Sequence, residues 1–401
     1  MKKLALLFPG QASQYVGMGK SLYEKYDFIK DLFNEANQIL NIDIKDLCFN
    51  GNLQELTKTE NAQPAILLCS VAAYKVYQQQ YGVEPAFVAG HSIGEISALT
   101  CIGAINFKDA LQIVRKRGLF MRDALPENAG TMHAITNLDI ETIENVCKNM
   151  SSSGNEVVVS NYNTNNQYVI SGLKENVIAV SEEIKRLGGR SIPLNVSAPF
   201  HSPYMELAAE LFKEELKKYN FNPFYIPVIS NIDVQPYSDS SLIPEKLVKQ
   251  LVSSVQWIKT IEYLKEQEVG LAIELGPKEV LKNLSKTIYP GLHIYSYDQT
   301  EDINTLNKGF EHFINKCMAI AVCTPNKNWN NDEYKKGVSE PYKKIQQIVE
   351  TFEREQKQPT INDTKMALGM LLSVFETKKV DTEEKEMRIK ELSDLPVSCF
   401  L

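Results

Sequence analysis

The sequence predicts an α/β protein with a parallel sheet, a small inserted unit and a mostly helical C-terminal region. Three observations support this prediction. Short apolar runs alternate with helical patterns over the first 120 residues, which is typical of a parallel sheet. The element order changes between about residues 130 and 194, and glycine becomes rare beyond residue 300. A chain of 401 residues is long enough for two or three domains with a sizeable core.

Composition argues against several classes of protein. The formal net charge is −7, so no nucleic-acid partner is expected, because phosphate binding needs clustered positive charge. No apolar run reaches the roughly 18 residues of a membrane-spanning helix, so we expect no membrane segment. Lys2 and Lys3 before Leu4–Phe8 resemble a signal peptide, but the apolar run is too short. Seven cysteines without a CxxC pair indicate reduced thiols, no metal site and a cytoplasmic protein.

The elements of the first part follow from the spacing of apolar residues. Short apolar runs predict strands at Leu4–Phe8 and Pro85–Ala89. Helical spacing predicts helices at Ser21–Leu40, Gln63–Tyr81, Glu95–Ala104 and Phe107–Ala124. Pro64 is compatible with the first turn of the second helix.

The inserted unit has the order strand, helix, strand, strand, helix, strand. Its predicted elements are Thr131–Thr136, Asp139–Met150, Val157–Tyr162, Tyr168–Ser171, Val177–Leu187 and Arg190–Leu194, with the polar turn Asn163–Asn166 between the paired strands. This order is typical of a ferredoxin-like fold. We therefore expect a ferredoxin-like subdomain at residues 129–194.

The α/β pattern resumes after the insert. Its predicted elements are the helices Met205–Tyr219, Ile243–Leu251, Trp257–Gln267 and Glu279–Lys286 and the strands Pro227–Asn231 and Leu271–Leu275. Residues 1–128 and 195–300 are therefore expected to form one subdomain. Helix formers dominate Pro341–Lys357 and Lys365–Lys379, and Asn326–Asn331 is predicted as a loop. Residues 301–401 are thus expected to form a mostly helical extension.

The strongest chemical signal is the segment Gly90-His91-Ser92-Ile93-Gly94. It follows an apolar run and precedes a helical pattern, which is the context of a G-x-S-x-G nucleophile elbow. The glycines allow a strained turn, and the backbone N–H of Ile93 at the helix start can stabilise an oxyanion. An incidental glycine-flanked serine is the alternative. The pattern predicts Ser92 as a nucleophile.

A serine nucleophile needs a base, and the chain has five histidines. His91 adjoins the serine on a tight turn, His133 lies in a predicted strand, and His312 lies on a predicted helix of the extension. His201 is flanked by prolines in an irregular segment after a strand, where α/β proteins display functional side chains. Position alone favours His201 only modestly over His293.

Six ordered motifs resemble those of the malonyl-CoA:acyl-carrier-protein transacylases, a family that includes the acyltransferases of polyketide synthases. The motifs are Phe8-Pro9-Gly10-Gln11-Ala12-Ser13-Gln14, Gly90–Glu95, Arg117-Gly118 with Met121, Ser197–Ser202, Val255-Gln256-Trp257 and Glu274-Leu275-Gly276-Pro277. They extend over about residues 4–290 with family-like gaps. The resemblance implies an α/β-hydrolase-like core with an inserted ferredoxin-like subdomain, in agreement with the element order above.

The resemblance also implies a role for each matching residue. Ser92 would take the acyl group from its thioester, and His201 would act as general base and then protonate the leaving thiol. The backbone carbonyl of Gln250 would orient the imidazole, and no role follows for the Gln250 side chain. The backbone N–H groups of Gln11 and Ile93 would form the oxyanion hole.

Two positions bear on the substrate. The Arg117 guanidinium can form a bidentate pair with a free carboxylate such as that of a malonyl group. A surface arginine beside Arg115 and Lys116 is the alternative. Arg117 also disfavours the similar acyl hydrolases of polyketide pathways, which lack this arginine. Phe200 and Ile93 resemble the malonyl-selecting type of polyketide acyltransferase, a preference worth only about 1–3 kcal/mol.

The implied reaction is a ping-pong transfer from malonyl-CoA, through an acyl-serine, to the phosphopantetheine thiol of an acyl carrier protein. No bound cofactor or metal is expected. The additional residues 301–401, and Ala12 where the fatty-acid enzyme usually has glycine, favour a discrete, trans-acting acyltransferase of a polyketide or hybrid peptide–polyketide assembly line. The alternatives are a fatty-acid-synthesis transacylase, a transferase that takes an aminomalonyl or hydroxymalonyl unit from a carrier protein, and an acyl hydrolase.

Two surface features leave alternatives open. Lys185, Arg186 and Arg190 are candidates for a CoA-phosphate site, although a solvated helix face is the more common role of such residues. The apolar segment Met366–Phe375 in the extension is suited either to packing on the protein's own core or to binding a partner.

Overall fold

The structure is a computed structural model that describes residues 2–196, 198–355 and 357–401. Ser197, the first residue of the motif Ser197–Ser202, lies outside the described residues. The strands are β1 (Lys3–Phe8), β2 (Phe87–Gly90), β3 (Gly130–Thr136), β4 (Val157–Thr164), β5 (Gln167–Leu173), β6 (Arg190–Pro193), β7 (Val228–Ile229), β8 (Val269–Glu274) and β9 (His293–Ser296).

The α-helices pack against these strands and against one another. In chain order they are α1 (Lys20–Lys25), α2 (Asp27–Leu40), α3 (Ile44–Phe49), α4 (Leu53–Thr57), α5 (Thr59–Gln80), α6 (Ile93–Cys101), α7 (Phe107–Asp123), α8 (Ile140–Met150), α9 (Lys174–Arg186), α10 (Glu206–Leu216), α11 (Ile243–Leu251), α12 (Trp257–Glu266), α13 (Val280–Ile288), α14 (Thr300–Cys323), α15 (Asn331–Tyr334), α16 (Glu340–Glu355), α17 (Ile361–Thr377) and α18 (Thr382–Ser393). A short 3-10 helix, Pro396–Phe400, ends the chain.

The larger sheet is parallel and has the strand order β7-β2-β1-β8-β9. Its central strands β1, β2 and β8 are buried almost throughout. Helices cover both faces of such a sheet, which explains why these strands appear in the sequence as continuous apolar runs. The carboxyl ends of β1, β2 and β8 lie at one edge, at Phe8, Gly90 and Glu274. Parallel α/β sheets bind their ligands at this edge.

Two expectations for this layer are wrong. The spacing of apolar residues predicts no strand at His293–Ser296, yet β9 pairs with β8, with His293 opposite Leu271. The exposed His293 and the partly exposed Tyr295 interrupt the apolar run by which the other strands are recognised. The single helix predicted at Ser21–Leu40 is divided into α1 and α2, because Tyr26 has an extended backbone.

The second predicted helix starts earlier than expected, and Pro64 lies inside it instead of in its first turn. Proline has no N–H, so it cannot donate to the carbonyl of Glu60 four residues before it. Nη1 of Arg115 donates to that carbonyl oxygen instead, at 2.6 Å. A side chain from α7 thus satisfies the group that the proline leaves free.

The smaller sheet is antiparallel, with the strand order β4-β5-β3-β6. Helices α8 and α9 pack on it through a separate apolar core. The hairpin of β4 and β5 is longer than predicted, so its turn is shorter than Asn163–Asn166. The sheet is attached to the larger unit at Val255, whose N–H donates to the Ser160 carbonyl at 2.9 Å and whose carbonyl accepts from Tyr162 at 3.0 Å.

Helices α14 to α18 pack against the larger unit beside β9 and α5. Their buried apolar side chains belong to the same continuous core as those of β1 and α5. Tyr81, just after α5, contacts Phe310 and Phe400 with ring centroids 6.0 and 5.5 Å apart, and its hydroxyl donates to Asn307 at 2.9 Å. Of the helices in the described ranges, none combines the length and apolarity that a bilayer span needs.

Candidate active site

Ser92 lies at a sharp turn between β2 and α6. Its φ of 54° and ψ of −111° form a strained conformation that non-glycine residues rarely adopt. A Cβ on Gly90 would lie 2.0 Å from the Gly94 backbone, and a Cβ on Gly94 would lie 2.0 Å from the Phe8 carbonyl oxygen. Asn231 holds the turn, since its Oδ1 accepts from the Ser92 N–H and its Nδ2 donates to the Gly90 carbonyl, both at 2.6 Å. The strained elbow expected from the motif is therefore present.

His201 lies against the serine. Its Nε2 is 2.8 Å from Ser92 Oγ, and its Nδ1 is 2.9 Å from the carbonyl oxygen of Gln250. A carbonyl can only accept, so Nδ1 carries the proton and Nε2 is available to take one from the hydroxyl. Burial and the positive charge of Arg117 lower the pKa of His201 to about 3, so the imidazole is neutral. His293, the histidine that position alone left open, is exposed on β9.

Arg117 is buried on α7, so the surface position considered above is not observed. Its Nη2 is 3.2 Å from Ser92 Oγ and donates to Gln250 Oε1 at 2.8 Å, and its Nη1 donates to Gln63 Oε1 at 2.8 Å. Its Nε is buried without a hydrogen-bond partner among the described residues. Burial lowers the pKa of Arg117 to about 10, which leaves it charged at neutral pH. A buried cation with an unused N–H beside a nucleophile fits an anionic acyl group.

The backbone N–H groups of Gln11 and Ile93 donate to no other residue in the part of the chain that the structure describes. Ile93 is the first residue of α6, and Gln11 lines the same cavity as Ser92 and His201. The side chain of Gln11 is engaged elsewhere, because its Oε1 accepts from Thr59 Oγ1 at 3.0 Å. Two free N–H groups beside the serine can bind a developing oxyanion.

A cavity of about 630 Å³ opens onto Ser92 and His201 between the two sheets. Part of its wall is apolar and is formed by Met121, Met132, Val196 and Phe200. The smaller sheet contributes a polar part, with the amides Asn161, Asn163 and Gln167. Its volume is in the range of cofactor and small-molecule sites. The cavity can therefore hold an acyl group together with part of the chain that carries it.

A buried network behind the elbow was not predicted. Glu95 lies one turn after Ser92, and its carboxylate accepts from the Asn231 N–H at 3.0 Å, from Gln250 Nε2 at 2.6 Å and from the Tyr237 hydroxyl. Burial raises the pKa of Glu95 to about 7. The Gln250 side chain, for which the resemblance implies no role, therefore joins Glu95 to Arg117. Glu95 is the last residue of the motif Gly90–Glu95, and its place in that motif is the only feature of the sequence that points to a role in the site.

Gln63 supports the site, whereas Lys185 and Arg186 lie away from it. Gln63, which holds Arg117, lies 54 residues away in the sequence and carried no signal of this contact. Lys185 and Arg186 pair with Glu182 and Glu183 on the exposed face of α9, and they do not line the cavity. Within the described ranges, no group of three or more potential metal ligands is present.

Comparison with known proteins identifies the family. Residues 5–303 match the model of the acyl transferase domain. A malonyl CoA-acyl carrier protein transacylase of Bacillus subtilis is 38% identical over 395 residues, which cover 96% of this chain and 99% of that protein. The protein of the same name from Escherichia coli strain K12 is 43% identical over 289 residues, 72% of this chain and 93% of that protein.

Solved structures agree with this assignment over the same part of the chain. A malonyl-transacylase in complex with its type II polyketide synthase acyl-carrier protein superposes with a TM-score of 0.73 and 38% identity, over 76% of this chain and 98% of that chain. An acyl carrier protein S-malonyltransferase from Vibrio cholerae has a TM-score of 0.73 and 39% identity, over 76% of this chain and 99% of that chain. The family suggested by the six motifs is thereby confirmed, and the chain belongs to the acyl transferase domain family.

Proposed function

We propose that this protein transfers a malonyl group from coenzyme A to the phosphopantetheine thiol of an acyl carrier protein, through an ester on Ser92. The observation that carries the proposal is the position of Arg117, a buried and charged guanidinium 3.2 Å from the serine oxygen. Placing an unpaired cation there costs desolvation energy, and a substrate that brings a carboxylate to the site offsets this cost. The proposal is supported by the relatives named malonyl CoA-acyl carrier protein transacylase, which this chain matches over nearly their whole length.

The first half-reaction forms the acyl-enzyme. Nε2 of His201 accepts the Ser92 proton while Oγ forms a bond to the thioester carbonyl carbon. The carbonyl oxygen becomes an oxyanion and is bound by the N–H groups of Gln11 and Ile93. As the intermediate collapses, the carbon–sulfur bond breaks and His201 returns its proton to the coenzyme A thiolate. Arg117 holds the malonyl carboxylate during both steps.

The second half-reaction reverses these roles. His201 takes the proton of the incoming phosphopantetheine thiol, and the thiolate attacks the carbonyl carbon of malonyl-Ser92. The carbon–oxygen bond breaks, Ser92 regains its proton from His201, and the malonyl thioester leaves with the carrier protein. Coenzyme A and phosphopantetheine enter as substrates, and the proposed steps use no other group than the side chains and backbone of this chain.

The apolar wall of the cavity supports unsubstituted malonyl as the transferred group. Phe200 precedes His201 in the sequence, is buried, and lines the same cavity as Met121 and Met132. An aminomalonyl or hydroxymalonyl unit whose polar substituent lay against this apolar part would leave that substituent without a hydrogen-bond partner, and an unpaired buried polar group is costly. Phe200 is therefore assigned as a specificity residue.

The division of the chain follows the two sheets. We assign residues 129–194 to a ferredoxin-like subdomain, supported by the antiparallel order β4-β5-β3-β6 with two helices packed on it. Residues 1–128 and 195–300 form an α/β-hydrolase-like subdomain, supported by the parallel sheet and the elbow that follows β2. Residues 301–401 form the helical extension.

We place the reaction in a polyketide or hybrid peptide–polyketide assembly line. Two observations support this placement. The Bacillus subtilis relative aligned over 395 residues extends through the C-terminal region, whereas the solved relatives above cover about three quarters of this chain. One of those solved relatives is bound to a type II polyketide synthase acyl-carrier protein. The carrier protein partner is accordingly either free-standing or part of a synthase module.

Acyl transfer and hydrolysis are distinguished by the fate of the acyl-enzyme. The protein is mixed with malonyl-CoA or acetyl-CoA, and intact mass and free acid are followed with time, with Ser92→Ala as the control. The proposal predicts one malonyl group retained on the wild-type chain and none on the variant. Rapid release of free acid with a preference for acetyl groups would instead establish an acyl hydrolase.

A further inference from the structure

Gln250 connects two parts of the site: the general base His201, which serves the reacting thioester, and Arg117, which serves the carboxylate end of the substrate. Its backbone carbonyl accepts from His201 Nδ1 at 2.9 Å, and its Oε1 accepts from Arg117 Nη2 at 2.8 Å. On its other side, Nε2 donates to Glu95 at 2.6 Å and, at the longer distance of 3.2 Å, to the Ser92 carbonyl. One residue therefore contacts the general base, the carboxylate-binding arginine and the elbow.

Glu95 and Arg117 together hold the Gln250 amide in one orientation. An amide has an acceptor oxygen and a donor nitrogen of nearly equal size, so its orientation is set by its partners. Arg117 can only donate and the Glu95 carboxylate accepts, so only one orientation of the amide satisfies both neighbours. With Glu95 absent, Arg117 and the more distant Ser92 carbonyl still favour this orientation, but Nε2 loses its shorter hydrogen bond and the amide is held less firmly.

Glu95 itself is held firmly. It is buried with 1% of its surface exposed, and its carboxylate accepts three hydrogen bonds, from Gln250, from the Asn231 N–H and from Tyr237. Without Glu95, the elbow backbone keeps its two hydrogen bonds to the Asn231 side chain, whereas the Gln250 amide loses its shorter Nε2 bond. Loss of the carboxylate should therefore affect Arg117 more than Ser92.

We propose that Glu95 is a positioning residue for malonyl selection, which acts through the Gln250 amide to hold the Arg117 guanidinium in place. This inference rests on the function proposed above. It assigns to Glu95 an effect on the carboxylate end of the substrate and little effect on the serine–histidine pair. Discrimination between malonyl and acetyl groups, and not the reactivity of Ser92, is the property that the carboxylate controls.

The test compares acylation of Ser92 by malonyl-CoA and by acetyl-CoA in the wild type, Glu95→Ala and Glu95→Gln. Glu95→Ala is expected to lower the malonyl-to-acetyl ratio of kcat/KM by about tenfold or more, the effect of one hydrogen bond to a charged group. Most of the change should lie in KM for malonyl-CoA. Glu95→Gln retains an acceptor oxygen for Gln250 and should restore most of the ratio. Labelling of Ser92 by a neutral fluorophosphonate should change less than threefold.

Three further variants complete the test, and the first of them keeps it decisive if Glu95→Ala does not fold. Gln250→Leu retains the backbone carbonyl for His201 but removes the amide, and it should lower the same ratio. Glu215→Gln replaces another buried carboxylate, which lies on α10 and pairs with Lys218, and it should leave the ratio unchanged. In an Arg117→Ala background, Glu95→Ala should produce no further fall in the ratio, because the two residues act in one chain of contacts.

The outcomes separate this inference from the proposed function. If the wild type takes no malonyl group, the proposed function is wrong. If the wild type is acylated by malonyl-CoA but folded Glu95→Ala and Gln250→Leu keep the wild-type ratio, the inference about Glu95 is wrong. An equal loss of malonyl and acetyl acylation would assign Glu95 a purely structural role and would also overturn the inference.

Discussion

Arg117→Ala tests how the site selects its acyl group. In the structure, Arg117 uses three N–H bonds to hold itself against Gln63, Gln250 and Ser92 Oγ, and its Nε has no partner among the described residues. A malonyl carboxylate beside Ser92 can accept two hydrogen bonds from Arg117, one from the unused Nε and one from Nη2, which now faces Ser92 Oγ. The substitution removes both bonds and the positive charge.

The expected loss is large and selective. Each hydrogen bond to a charged group contributes about 1.5–3 kcal/mol, so two bonds contribute about 3–6 kcal/mol to binding of the malonyl transition state. At about 1.4 kcal/mol per factor of ten, kcat/KM for malonyl-CoA should fall by about 10²- to 10⁴-fold. Acetyl-CoA brings no carboxylate, so its rate should be unchanged or higher. The selectivity of the site should therefore decrease or reverse.

Stopped-flow or quenched-flow measurement of acyl-Ser92 by mass spectrometry gives both rates. Lys116→Ala is the matched control, since Lys116 is the exposed neighbour on the same helix and should have no effect. Thermal unfolding must show that the Arg117 variant is folded, because Gln63 and Gln250 each lose a donor. A folded Arg117→Ala protein that uses malonyl-CoA at the wild-type rate would refute the assignment of Arg117.

Two further predictions concern the base and the extension. Burial and the positive charge of Arg117 lower the pKa of His201 to about 3, so the rate of fluorophosphonate labelling of Ser92 should fall only well below pH 6.5. Arg117→Ala removes that charge and raises the pKa of His201, so the fall in rate should occur at higher pH. A wild-type loss centred at pH 6.5 would contradict this. Removal of residues 301–401 should make the protein insoluble or sharply lower its Tm, because Tyr81 and the core around it become exposed. A truncated protein with unchanged Tm and activity would contradict core packing.

Local patterns in the sequence predict much of this fold. The strands β1, β2 and β8 are continuous apolar runs because helices cover both faces of the sheet. β9 lacks this signal, because His293 at its start is exposed. The true start of α5 is not predicted either, since a proline inside a helix is tolerated only because the distant Arg115 takes over the free carbonyl. Patterns identify elements with a uniform environment and miss those that depend on a single distant contact.

The site shows the same division. The elbow is predicted because close backbone contacts require glycine at Gly90 and Gly94, and glycine at a fixed spacing is visible in the sequence. The position of His201 between two prolines favours it only modestly over His293, so the choice depended on resemblance to a family. The contacts of Arg117 with Gln63 and Gln250 span 54 and 133 residues. Polar residues in such contacts carry no periodic signal, so only the folded structure brings them together.

The central claim is that Ser92 carries a malonyl group from coenzyme A to a carrier protein. The most direct test isolates the protein after brief exposure to malonyl-CoA, locates the added group by peptide mapping, and then adds a phosphopantetheinylated acyl carrier protein. The account predicts malonyl on the peptide that contains Ser92, followed by its loss from this peptide and its appearance on the carrier protein. Malonyl found on another residue, or lost to water and not to the carrier protein, would contradict the account.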